Sequence, residues 1–322
     1  MDALSDVLKS IRLEGALYLN AEFTAPWCIR GECGLPSVRR RLADAEHVVF
    51  FHFVTEGRCK VRLSNGGGET LTASAGDLIL IPQDDRHLLG SDVAIAPLEG
   101  DSLFAEGGAN AEIVQLRHGG GGATTRFVCG YLACSRSVCR PLLEALPRAL
   151  AIPIGDGPAS TLLRELLRVG VRESSALRPG AGSLLAKLSE LMFVEALRRY
   201  VENLPPQGMG WLAGLRDPQV GRALALMHGE PGKAWTVDEL AREVALSRSA
   251  LAERFAGLVG EPPMQYLTRW RLALAAQMLR AGREAVGRVA ERSGYESDAA
   301  FNRAFKREFG MPPAAWRRAA AK

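Results

Sequence analysis

Six cysteines, Cys28, Cys33, Cys59, Cys129, Cys134 and Cys139, are the residues of this 322-residue chain best suited to chemistry with an oxidant or a soft metal. The thiolate is the reactive form, and a nearby cation lowers a thiol pKa. Arg30 stands close to Cys28 and Cys33, and Arg136 and Arg140 stand close to Cys134 and Cys139. These four cysteines are therefore the candidates for redox-active thiols or soft-metal ligands. Cys59 and Cys129 read more plainly as small buried apolar residues. Zinc sites favour closer spacings than the five-residue steps at 129, 134 and 139. On a flat strand, residues 129 and 134 also point to opposite faces. Met1 to Arg12 has no signal-like apolar core, so a cytoplasmic protein without a structural disulfide framework is expected.

Histidine and carboxylate chemistry centres on His52, Glu56 and His87, with His47 nearby. A metal ion takes several convergent nitrogen and oxygen ligands, and this set is one short. No metal site and no cofactor are expected. His52 and His87 are the residues that would serve a metal, and the plainer reading makes both rings buried and hydrogen-bonded.

A third kind of chemistry lies in the last hundred residues, where a short pattern occurs twice. Leu240-Ala241, Leu246, Ser247, Leu251, Phe255, Gly260, Pro262-Pro263 and Tyr266 are matched by Val289-Ala290, Tyr295, Ser297, Phe301, Phe305, Gly310, Pro312-Pro313 and Trp316. The offset is 49 residues before the turn and 50 after it. Two copies suit two small helical modules side by side. Thr236 with Glu239 forms a capping box at one helix start. Asp217 followed by Pro218 opens an earlier helix. Ser247 and Ser297 each cap a second helix after a short turn, with Gly294 suited to a left-handed position. Each unit is thus a helix-turn-helix, in which one helix braces and the next lies in the DNA major groove. The charge agrees: residues 221–322 hold 17 Lys and Arg against 11 Asp and Glu, and the remainder 23 against 25. A basic module on a near-neutral body points to a polyanion partner.

These residues need elements to position them. At 47% hydrophobic and 24% charged, the composition is that of a soluble globular protein with room for two domains. No apolar run reaches the roughly 18 residues of a membrane helix. Residues 1–12 have helical spacing. Short β-prone runs follow, at Ala16 to Leu19, His47 to Val54, Cys59 to Leu63, Leu71 to Ala73 and Leu78 to Ile81, separated by turn residues such as Asn65 to Gly68. This pattern predicts an antiparallel β-barrel or sandwich. The glycines of His118 to Gly122 read as a hairpin loop between two further strands. Phe51-His52-Phe53-Val54, Glu56-Gly57, Ala75-Gly76-Asp77-Leu78, Pro82 and His87 resemble a cupin barrel, and Gly119 to Leu150 is similar to one subgroup of sensor cupins. Helices are expected from Ser160 and over Ser183 to Asn203, the second with a broad apolar surface that suits a dimer interface. Leu204 to Gly208 is the expected linker. The expected organisation is a cupin-like effector-sensing domain over 1–150, a helical dimerisation segment and linker over 151–206, and a DNA-binding domain over 207–322.

The last of these is identified as a member of the AraC/XylS family of bacterial transcription regulators. Gly294-Tyr295-Glu296-Ser297, Phe301 to Lys306, Gly310-Met311-Pro312-Pro313 and Trp316-Arg317 carry the resemblance, with Trp316 where Tyr is commoner. Outward positions in the first turns of the recognition helices reach base edges: Arg248, Ser249, Ala252 and Glu253 in one, and Asp298, Ala299, Asn302 and Arg303 beside the cap Ser297 in the other. The resemblance places Arg303 at a base-contact position, suited to guanine, and Asn302 on backbone. Glu253 departs from the basic or amide residue often found there; two readings stay open for it, a carboxylate that accepts from cytosine and one that merely repels phosphate. Lys306, Arg307, Arg254 and Arg317 suit phosphates. The fold class expected is multidomain α+β. The function expected is a non-enzymatic, sequence-specific DNA-binding regulator whose sensor responds to a small molecule, an oxidant or a metal. Its partners are double-stranded DNA, RNA polymerase and a second copy of itself, with no membrane. The competing expectations are a metal-dependent cupin enzyme fused to a DNA-binding domain, and a constitutive DNA-binding scaffold with a degenerate barrel.

Overall fold

The structure, a computed structural model, describes residues 13–31, 46–64, 69–99, 114–155, 157–175, 180–205, 210–282 and 284–320, with Leu4, Ser5 and Leu8. Cys33, the Asn65 to Gly68 turn, most of the expected N-terminal helix and part of the expected linker lie outside the described residues. The chain forms two compact units. One comprises residues 13–134 and 146–203; the other takes in residues 135–145 and the chain from 204 onward.

The first unit holds eleven strands among the described residues: β1 (Glu14–Thr24), β2 (Cys28–Gly31), β3 (His47–Glu56), β4 (Arg58–Leu63), β5 (Leu71–Ser74), β6 (Asp77–Ile81), β7 (His87–Gly90), β8 (Leu98–Glu99), β9 (Val114–Gly119), β10 (Thr124–Cys134) and β11 (Leu150–Pro153). They form a six-stranded sheet, β11-β6-β3-β10-β1-β9, and a five-stranded sheet, β5-β4-β7-β2-β8. This corrects the expected antiparallel barrel in two respects. The sheets do not close into one cylinder among the described residues, and two pairs, β1 with β9 and β2 with β8, are parallel. The expected hairpin at His118 to Gly122 is also corrected. β1 lies between β9 and β10, so the loop passes around the end of β1. There the Gly120 and Gly122 N–H groups donate to the Thr24 and Ala25 carbonyls. A Cβ on Gly119 would sit 2.0 Å from the Thr24 oxygen, so a glycine permits that approach.

One apolar core joins the sheets. It takes Val48, Phe50 and Val54 from β3, Phe127, Cys129 and Tyr131 from β10, and Val61, Ala73 and Leu89 from the other sheet. Phe23, Trp27 and Phe127 stack within it at centroid distances of 4.5 to 5.6 Å. β3 and β10 are buried almost continuously rather than alternately. A strand buried on both faces loses its polar alternation, and a helix lies against the far face of this sheet at β1, β10 and β11. In particular α3, introduced below, lies against β1, where Gly15 has no side chain to meet Ala186 and Ser189.

The helices, in chain order, are α1 (Arg136–Ala145), α2 (Pro158–Ser175), α3 (Ala181–Glu202), α4 (Trp211–Arg216), α5 (Pro218–Gly229), α6 (Val237–Glu243), α7 (Arg248–Val259), α8 (Pro263–Arg280), α9 (Val286–Arg292), α10 (Asp298–Phe309) and α11 (Pro313–Ala320). α2 and α3 belong to the first unit, and α1 and α4 to α11 to the second. The duplicated sequence becomes duplicated structure. α6 and α9 brace, α7 and α10 follow them, and α8 bridges. Asp217 caps α5 with Pro218 at its first position, and Thr236 and Glu239 form the capping box of α6. Ser247 and Ser297 cap α7 and α10, which both end at a left-handed glycine, Gly260 or Gly310. Each of these caps stabilises its helix by about 1 kcal/mol. The tight turns differ. The second places Gly294 at φ 75°, whereas the first places Ala245 at φ 56°.

The two halves of α8 serve different modules. Tyr266 and Trp270 join the first. The Tyr266 hydroxyl accepts from Trp211 Nε1 at 2.8 Å and shares a hydrogen bond with His228 Nε2 at 2.7 Å, and the His228 ring stacks on Trp270 at 4.2 Å. Burial drives the His228 pKa down to about 3. Leu272, Ala275, Ala276 and Leu279 pack with Val289, Ala290, Phe301 and Phe305 in the second module. Trp316 closes that core, donating from Nε1 to the Ala276 carbonyl at 3.2 Å.

Candidate nucleic-acid interface and buried sensor residues

Packing decides which side chains of the recognition helices face outward. Leu251 and Phe255 hold α7 inward, leaving Arg248, Ser249 and Glu253 exposed and Ala252 half-buried. Phe301, Ala304 and Phe305 do the same for α10, leaving Asp298, Ala299, Arg303, Lys306 and Arg307 exposed and Asn302 half-buried. Asn302 Nδ2 donates to the Asp298 carbonyl at 2.7 Å, which leaves its amide oxygen for another partner. Ser297 Oγ accepts from the Ala300 N–H, so its hydroxyl serves the helix cap. Arg248 meets Asp238 of α6 at 3.3 Å, an exposed pair of small energetic value that a phosphate can replace. Arg254 gives both Nε and Nη2 to the Asp217 carboxylate, at 2.8 and 2.6 Å, and so ties α7 to the start of α5. Arg317 donates to the Glu284 carbonyl.

The described candidate thiols are buried and unbridged: Cys28 on β2, Cys134 at the end of β10 and Cys139 on α1. Burial raises the Cys28 pKa, outweighing the lowering pull of Arg62 and Arg30. Proximity of arginine in sequence is therefore no guarantee of a low thiol pKa. Cys59 is pushed up to about 12 by burial. Cys134 and Cys139 bracket the passage of the chain from one compact unit to the other.

Cys129 is buried like a small apolar residue, yet it is not merely that. Its Sγ lies 2.6 Å from His52 Nδ1, His52 Nε2 lies 2.8 Å from His87 Nε2, and His87 Nδ1 lies 2.9 Å from the Asp85 carbonyl. A carbonyl only accepts, so His87 Nδ1 carries a proton. In neutral rings the remaining assignments follow. His52 Nε2–H donates to His87 Nε2, and the Cys129 thiol donates to His52 Nδ1. Burial lowers both histidine pKa values, that of His52 strongly. The result is a neutral hydrogen-bonded chain across the core, since His52 belongs to one sheet and His87 to the other. The sequence singled out both histidines; Cys129 entered through strand register, lying directly opposite His52 on the neighbouring strand. Glu56, by contrast, is exposed and pairs with Arg126. Among the described residues no group of three or more His, Cys, Asp or Glu is placed to hold a metal ion.

Two recognition helices on one bridge, joined in one chain to a two-sheet N-terminal fold, define a DNA-binding regulator. Comparison with known proteins agrees along the chain. A family described as Cupin matches residues 2–202, and one described as a helix-turn-helix domain matches residues 240–319. A relative from Streptomyces lividans named as an AraC-like transcription regulator is 34% identical over 99% of this chain and 98% of its own. The HTH-type transcriptional regulator AlkR of Acinetobacter baylyi is 30% identical over 98% of this chain and 99% of its own. A solved DNA-binding domain, that of the transcriptional factor AdpA with a target DNA, is 32% identical over 32% of this chain and 92% of its own, with a TM-score of 0.31. The chain belongs to the AraC-type transcription regulators that carry a cupin N-terminal domain. No helix among the described residues is long and apolar enough to cross a membrane.

Proposed function

We propose that the protein acts without catalysing a reaction, reading DNA through Arg248, Ser249, Ala252, Glu253, Asp298 and Arg303, with Ser297 at the helix start, Asn302 on the DNA backbone and Lys306 and Arg307 on phosphates. The carrying observation is the outward display of these side chains from two capped helices whose other faces are buried. Arg303 is the principal reader, since a bidentate arginine–guanine pair gives roughly 1–3 kcal/mol of discrimination. The test is selection of bound sequences from random DNA by the full chain and by Arg303→Ala. The variant is expected to lose preference at one base pair while keeping the others. An unchanged preference refutes the role.

The effector acts on the N-terminal domain of a cytoplasmic regulator. Thiol chemistry at Cys28, Cys33, Cys134 or Cys139, with an oxidant or a soft metal, is the reading we favour. What supports it is the position of Cys134 and Cys139 on either side of the passage between the units. Coupling then requires that the effector bind two arrangements of the protein unequally. A second copy of the chain is the proposed occupant of the apolar face of α2 and α3, where Leu162 and Leu191 are 61% and 55% exposed. Paired DNA half-sites favour such twofold symmetry. Leu162→Glu with Leu191→Glu is expected to give a monomer in analytical ultracentrifugation. RNA polymerase is the proposed downstream partner.

A further inference from the structure

A single shared helix sets the distance between two modules but leaves their relative twist weakly held. This protein has a second connection, away from the axis of α8. The loop from Glu230 to Trp235, between α5 and α6 of the first module, reaches the turn between α9 and α10 of the second. There the backbones meet. A Cβ on Gly232 would stand 2.8 Å from the Arg292 carbonyl oxygen, and a Cβ on Gly294 would stand 2.8 Å from the Gly232 oxygen. Such distances admit glycine alone without movement of the backbone. Arg271 of α8 locks the approach. Its Nε donates to the Pro231 carbonyl at 2.6 Å and its Nη2 to the Lys233 carbonyl at 2.5 Å, while its guanidinium lies 3.1 Å from where a Gly294 Cβ would be. Arg271 falls between Trp270, which packs in the first module, and Leu272, which packs in the second. The loop is itself braced: Trp235 Nε1 donates to the Glu230 carbonyl, and Lys233 Nζ lies 3.6 Å from the centre of the Trp235 ring.

We propose that Gly232, Gly294 and Arg271 form a clamp that fixes the angle between α7 and α10, and thereby sets the spacing of the two base-pair blocks the protein accepts. The proposal rests on both recognition helices entering the major groove. One base pair added between the blocks moves them apart by about 3.4 Å and rotates them by about 35°. A rigid pair of helices cannot follow that change, whereas a hinged pair can.

Gly232→Ala is the appropriate perturbation, because Gly232 is not among the left-handed glycines and an added methyl meets only the Arg292 carbonyl. Arg271→Lys is the second, since a lysine ammonium keeps the charge but lacks the planar fork that serves two carbonyls. Full-length protein is measured on its selected operator and on versions with one base pair inserted or removed between the blocks. Wild type is expected to lose roughly tenfold or more in affinity on each altered spacing, a coupling of the ordinary size for packed neighbours. Each variant is expected to narrow that loss to about threefold or less, with its base preference within each block unchanged. Thermal unfolding checks folding, and Arg271→Lys decides the matter if Gly232→Ala does not fold. Full retention of the penalty by a folded variant overturns the clamp, as does an equal loss on every spacing. Indifference of the wild type to spacing instead overturns the reading that both helices engage DNA, and the clamp's role with it.

Discussion

Lowering the pH should weaken the N-terminal domain through His52 and His87. Both rings are buried, 3% and 1% exposed, and burial holds both pKa values below the ordinary value of 6.5. Above that value folded and unfolded chains both carry neutral rings, so the pair contributes no pH dependence. Below it the unfolded chain takes up two protons that the folded core resists, and stability falls as the pH falls toward the folded-state values. The neutral chain from Cys129 to the Asp85 carbonyl supplies the geometric reason. A further proton on His52 Nδ1 would face the Cys129 thiol, and one on His87 Nε2 would face the His52 N–H. Each ring changes stability by at most about 1.4 kcal/mol between pH 7.5 and 5.5, and the two together by at most about 2.7 kcal/mol. The control is His52→Leu with His87→Leu, which removes both partners of the central bond and leaves carboxylate titration untouched. Urea unfolding of the full chain, read by a maleimide pulse and peptide mass at Cys59, isolates the core of the two sheets. Four of the five tryptophans lie in the other unit and would not. The wild-type midpoint should drop between the two pH values by substantially more than that of the double variant. Equal drops would refute the reasoning.

Three other outcomes are expected. Ala245→Gly should raise the thermal midpoint of the DNA-binding unit, because Ala245 holds a left-handed φ of 56°; relief of that strain, about 1–2 kcal/mol, exceeds the added chain entropy of glycine. Tyr266→Phe should destabilise the same unit by about 1–3 kcal/mol in chemical denaturation, leaving the Trp211 N–H and a His228 nitrogen without their buried partner. Replacing Cys28, Cys33, Cys134 and Cys139 together by Ser should abolish the response of DNA affinity to oxidants and thiol-binding metals. A full response in that variant, measured by fluorescence anisotropy on the selected operator, would exclude the thiols as the effector site.

The duplicated helix-turn-helix was legible in the sequence because its signals are local. Capping serines, left-handed glycines, prolines at helix starts and inward Phe255, Phe301 and Phe305 each act within a turn or two of the chain. The strands of the N-terminal unit were legible for the same reason, as short apolar runs between turn residues. Their assembly was not, because strand order depends on contacts far apart in sequence. β1 entered between β9 and β10, two pairs became parallel, and the expected barrel became two sheets over one core. The same distance hid Cys129, whose neighbour His52 is 77 residues away. It hid the Gly232–Gly294 approach as well, since a glycine required by close backbone packing looks in sequence like any loop glycine. Local chemistry thus determined which elements exist and which helix faces stay outward. Tertiary packing decided which buried polar groups satisfy one another, and where the backbones of the two helical modules meet.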